Sequence, residues 1–98
     1  MPYLKKDYIV YQKENVLVYI NQCHNPKKKT KLFAIRRDDK TGLGALLGII
    51  KFSGAWRQYV ILPDAYTKWS AGCKIKIAEF EERLNKEFRE KHKNVKRN

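Results

Sequence analysis

The sequence predicts an α+β fold, a four- to five-stranded antiparallel sheet with one C-terminal helix packed on one face. Three observations predict it. Short β-branched and aromatic runs, bounded by turn residues, fill the first two-thirds of the chain. The apolar period changes from two to about 3.6 after Ser70. At 98 residues and 43% hydrophobic, the chain suits one small core rather than two domains.

Taken in order, Tyr8-Ile9-Val10-Tyr11 and Val16-Leu17-Val18-Tyr19-Ile20 read as strands joined by a four-residue polar turn, Gln12 to Asn15. Asn25-Pro26 ends the second, because proline has no N–H to give to a ladder and restricts the residue before it. Lys31 to Arg36 is a third strand. Asp38-Asp39-Lys40-Thr41-Gly42 is a turn, since Asp side chains bond nearby backbone and glycine accepts positive φ. Leu46 to Ser53 is a fourth strand, in which Gly48 marks a bulge or a close backbone approach. Ser53-Gly54-Ala55 turns the chain, and Trp56 to Leu62 returns it as far as Pro63.

The helix follows Ser70, a suitable N-cap. Cys73, Ile77, Phe80, Leu84 and Phe88 form one stripe, which Ile75 and Ala78 are expected to widen. Glu79–Arg83, Glu82–Lys86 and Glu87–Lys91 are i,i+4 pairs in the favoured acid-first order. Residues 1–92 are expected to form the domain and 93–98 a basic disordered tail.

The charge is segregated. Twenty-two Lys and Arg face 10 Asp and Glu, a net +12. From Lys27 to Arg37 there are six cations and no acid, and from Lys86 to Asn98 six cations and two acids, so these segments hold +10 of that total. Solubility calls for mixed signs rather than blocks of one sign. Such blocks point to a polyanionic partner, nucleic acid first. A lysine run also suits anionic lipid headgroups. With no amphipathic helix carrying an aromatic apolar face beside that lysine run, and no apolar run of spanning length, no membrane partner is expected.

Alternation suggests where that partner binds. If Ile50, Phe52, Trp56, Val60 and Leu62 lie under the helix, then Lys51, Arg57 and Tyr59 stand on the open sheet face, with Arg36 or Arg37 beside them. Cations that track phosphates beside a ring on which a base can stack are the parts of a single-strand site. The expected nucleic-acid-binding residues are Lys27, Lys28, Lys29, Lys31, Arg36, Arg37, Lys51, Arg57 and Tyr59, Tyr59 being the stacking candidate. The plainer alternative is a solvated face with snorkelling cations.

Other chemistry is weakly represented. Cys23-His24, Cys73 and His92 lack the ligand spacing of zinc sites. Gly42 and Gly44 precede a strand and Gly48 lies within it, where a dinucleotide fingerprint would open a helix, which excludes that reading. Neither histidine has a Ser or Cys in a nucleophile context, so no enzyme, cofactor or metal is expected. Two distant cysteines imply no disulfide framework, although one bridge between them stays open, and suggest an intracellular home. The Met1–Lys6 stretch has no apolar region after its charges, so no signal peptide is expected.

Leu47-Gly48-Ile49-Ile50-Lys51-Phe52, Trp56-Arg57-Gln58-Tyr59-Val60, Pro63 and the Cys73-led helix resemble a group of small uncharacterised proteins of viruses and phages. These carry an LGxIKW-like strand, WRQY and a Cys-led helix. The resemblance covers residues 46–84 and implies a fold more than an activity. It also implies the alternative function, an interaction protein that binds a host factor such as a defence or transcription component, in the host cytoplasm. The layout is similar, as architecture only, to PC4-like single-stranded-DNA-binding modules, which are often dimers. Homodimerisation through the helix stripe or an edge strand is the remaining partner expectation.

Overall fold

The computed structural model describes residues 6–25, 29–38, 44–65 and 67–92. Five strands, β1 (Tyr8–Lys13), β2 (Val16–Cys23), β3 (Leu32–Arg37), β4 (Ala45–Ser53) and β5 (Gln58–Pro63), precede one helix, α1 (Ala71–His92). The strands form one antiparallel sheet in the order β1-β2-β3-β4-β5. It is the expected α+β arrangement with a C-terminal helix on the sheet. The expected tail at 93–98, the Asp39–Gly42 part of the turn, and both Lys27 and Lys28 lie outside the described residues.

The sheet curls around α1, which touches both edge strands. Tyr8 of β1 meets Phe80 edge-on at 5.1 Å between ring centroids. On the far side the Asn85 amide clamps β5: Oδ1 accepts the Tyr59 N–H at 2.6 Å, and Nδ2 donates to the Tyr59 carbonyl at 3.2 Å. An edge strand leaves a row of unpaired backbone groups, and a helix side chain here satisfies two of them. Nearby, burial and the adjacent Glu82 raise the pKa of the Glu81 carboxyl above its usual range, partly offset by a hydrogen bond from the Ile61 backbone.

The stripe Cys73, Ile77, Phe80 and Leu84 is buried against Val18, Ile20, Phe33, Ile35, Leu47, Ile50 and Tyr59, with Phe88 packed beside them. Ile75 is 56% exposed and Ala78 is exposed, so neither widens the stripe. At about 100° per residue, Ile75 points almost directly away from the stripe's centre. Ser70 caps the helix as expected, its Oγ accepting the Cys73 N–H at 3.2 Å. The ion pairs on the helix are Lys76–Glu79 and Glu82–Arg89 rather than the acid-first i,i+4 set. All four of these side chains are exposed, so they contribute little.

The two hairpin turns differ from expectation. Lys13 pairs with Val16, which leaves only Glu14 and Asn15 in the first turn, with Glu14 in the left-handed region (φ 52). In the last hairpin Ser53 pairs with Gln58, so residues 54–57 are all turn and Arg57 takes φ 55. The return strand therefore starts two residues later than expected, in the opposite phase. Phe52 is opposite Tyr59 and Ile50 opposite Ile61, so Tyr59 and Ile61 share the helix side with them. Val60 and Leu62, expected under the helix, lie on the open face, and Trp56 stands in the turn, 72% exposed.

Gly48 meets both of its sequence expectations. It faces Ile35 while Leu46 faces Arg36, which makes Leu47 the extra residue of a bulge. A Cβ on Gly48 would sit 2.7 Å from the Leu62 carbonyl oxygen, so β5 crosses too closely for any side chain.

Candidate nucleic-acid interface

The antiparallel meander has two ends, and the charged residues divide between them. At one end lie the β2–β3 loop, the β4–β5 turn and the C-terminal turns of α1. At the other lie the β1–β2 turn, the end of β3, the start of β4 and residues 67–70 before α1.

At the first end a hollow of about 170 Å³ is lined by Lys29 and Lys31 from the loop and by Lys91, Glu87 and Phe88 from the helix, over Tyr59. All three lysines are exposed. One comes from the cationic C-terminal segment and two from the acid-free stretch, so described members of both blocks meet here. Arg57 is exposed in the adjoining turn beside Trp56. An indole this open, next to a guanidinium, is the only aromatic among the described residues of this end that is more than half exposed.

Tyr59 is corrected as a stacking residue. It is 4% exposed, its ring packed edge-on against Phe52 at 5.5 Å and Phe88 at 6.3 Å between centroids. Its hydroxyl instead accepts the Lys31 backbone N–H at 3.0 Å. That bond ties the start of β3 to the core and so positions Lys31. The turn is the reason: it takes four residues, 54–57, where three, Ser53 to Ala55, were expected, and a one-residue change of register sends every side chain of a strand to the other face.

The open face is also corrected. It is aliphatic rather than basic and aromatic, presenting Ile9 (56% exposed), Leu46 (39%) and Leu62 (44%), with Ile49, Val60, Leu17 and Leu32 partly covered. Its cations include Lys51, which is exposed and lies between Leu32 and Val60, and Arg36, half-buried with Nη1 donating to the Gly44 carbonyl at 3.5 Å. Tyr19, on the same face, is fully buried, with the Lys6 amine 5.2 Å from its ring centroid and Gly44 against its hydroxyl.

Arg37 belongs to neither surface. It pairs with Val18 on the helix side at the far end of β3, about 20 Å from Lys31 at the strand rise of 3.2–3.4 Å per residue. Of the expected residues, the structure thus brings together Lys29, Lys31 and Arg57, sends the Lys51 side chain to the opposite face beside Leu32, and leaves Arg36 and Arg37 towards the other end of β3. Lys91 and Trp56 join the group unanticipated. Pairing Phe52 with Tyr59 as an aromatic couple would have placed Trp56 in the turn from sequence.

Cys23 and Cys73 are both free, on opposite sides of the sheet, and burial pushes the Cys73 thiol above its usual range. Among the described residues no group of three or more His, Cys, Asp or Glu side chains is placed to hold a metal ion. No described helix is long and apolar enough to cross a membrane. No family model matches the chain, nor does any curated protein or solved structure.

Proposed function

We propose that this protein is a non-enzymatic nucleic-acid-binding protein that holds a single strand through the basic end formed by the β2–β3 loop, the β4–β5 turn and the end of α1. The observation that carries the reading is the meeting of Lys29, Lys31 and Lys91 around one hollow. Three ammonium groups there face one carboxylate, Glu87, and Arg57 adds a fourth cation beside an exposed indole. Phosphates take the lysines, and a base stacks on Trp56. The contacts address backbone and ring faces, which every nucleotide has, so the binding is directed by shape and charge rather than by sequence.

A salt titration tests this. Binding of a labelled single-stranded oligonucleotide, followed by fluorescence anisotropy, is expected to weaken with a log–log slope of about −2 to −3, at roughly −0.7 per phosphate neutralised. A slope near zero overturns the reading.

A second reading rests on the aliphatic open face, which is a surface for a protein partner: one presenting apolar side chains, with an acid to meet Lys51. A partner recovered by the wild type after nuclease and high salt is expected to be lost from Leu62→Lys, while that variant's oligonucleotide affinity stays unchanged. Recovery by both forms sinks this second reading.

A further inference from the structure

At the end of the molecule away from Lys29 and Lys31, the β1–β2 turn, the end of β3 and residues 68–70 line a second, larger hollow of about 390 Å³. That volume lies at the lower end of the range for small-molecule sites, roughly 300–1,000 Å³. Lys13, Arg37 and Lys68 line it against one carboxylate, Glu14, and two rings, Tyr11 and Trp69, contribute to its wall. The aliphatic side chains of β2 and Leu47 complete an apolar floor.

Both rings are held before anything binds. The Trp69 Nε1–H donates to Thr67 Oγ1 at 3.0 Å, and Thr67 in turn donates to the Asp64 carbonyl at 2.8 Å. Tyr11 packs so closely over the start of α1 that a Cβ on Gly72 would come within 3.1 Å of its Cε1. Rings fixed in this way lose little freedom when a ligand is placed between or against them.

We infer that this hollow binds one mononucleotide unit, a planar heterocycle stacked on Trp69 or Tyr11 whose phosphate is met by Arg37, Lys68 and Lys13. The chemistry of the lining asks for both halves. Cations outnumber acids three to one at the wall, which calls for an anion, and fixed rings over an apolar floor call for a flat apolar group attached to it. Neither inorganic phosphate nor a neutral aromatic satisfies the whole site. A free nucleoside monophosphate and the phosphorylated end of a strand carry the same unit. The inference stands apart from the interface at the other end, since the two share no residue.

The chain has two tryptophans, so Trp56→Phe leaves Trp69 as the sole indole reporter. In that variant, nucleoside monophosphates are expected to quench Trp69 emission saturably, and inorganic phosphate alone is expected to leave it unchanged. Removing both charges with Arg37→Gln and Lys68→Gln should weaken binding by about tenfold or more, the loss of charge-assisted hydrogen bonds. Gly72→Ala keeps every charge and favours the helix, yet displaces Tyr11, and should weaken binding several-fold with the fold intact. If free nucleotides have no effect but a short oligonucleotide with a terminal phosphate quenches, and its dephosphorylated form does not, the strand end is the source of the unit.

Three results overturn the assignment: no change in Trp69 emission with any of these ligands, an equal response to phosphate alone, or binding unaltered in both the charge and the Gly72 variants. Anisotropy with a non-phosphorylated oligonucleotide, run on the charge and Gly72 variants, reads the other end independently. Failure here with that binding preserved leaves the proposed function standing.

Discussion

Asn85→Ala is expected to destabilise the protein by about 2–4 kcal/mol, because it strands a buried N–H and a buried C=O at once, each costing about 1–3 kcal/mol when unpaired. Asn85 is 5% exposed, and its amide satisfies both backbone groups of Tyr59 on the outer side of β5. No neighbouring strand can take them over, since β5 is last in the sheet. For a domain of this size the melting temperature should fall by about 10–20 °C. Lys86→Ala, next along the helix and exposed, should stay within about 0.5 kcal/mol of wild type. A loss below about 1 kcal/mol for Asn85→Ala would show that water replaces the amide, and that α1 covers the β5 edge without holding it. The unsatisfied edge also gives the variant a route to pair with a second chain, so its melting should become concentration-dependent.

Neutralising Lys29, Lys31 and Lys91 together with glutamine is expected to weaken single-strand binding about 100-fold near 0.1 M salt. Each released counterion is worth roughly 0.7 logarithmic units at that concentration, and the salt slope should become shallower by about 2. Trp56→Ala should cost about 1–3 kcal/mol of affinity with little change in slope, because stacking involves no counterion. Lys51→Gln, opposite Leu32 but with its side chain on the face away from the hollow, should change affinity less than about threefold, short of the roughly fivefold that one released counterion is worth. A roughly fivefold loss from Lys51→Gln, one-third of the triple variant's on a logarithmic scale, would mean that binding follows net charge alone. The basic end would then have no special role.

Most elements of the fold are legible in the sequence because they follow from local periodicity. The helix stripe from Cys73 to Phe88, the cap at Ser70 and the bulge at Gly48 each depend on residues a few positions apart. Ile75 shows the limit even there, since counting it into the stripe ignored an angle that the spacing already contains. The candidate site was half legible. The cationic blocks are visible as runs, but a run of lysines does not say which end of a sheet its loop occupies or what stands across from it.

The composition and spacing of this chain are enough to specify five strands, one helix, a single core and an excess of positive charge, since each arises from neighbours along the backbone. The facing of β5 is different. It depends on how many residues the turn after Ser53 consumes, and pairing with β4 settles that number. With four residues in the turn, Tyr59 goes inward to Asn85 and Lys31, and Trp56 goes out to solvent. Local extension alone holds Lys31 and Arg37 about 20 Å apart, but only the packing of sheet and helix sets a different hollow at each, dividing a continuous block of sequence charge between them.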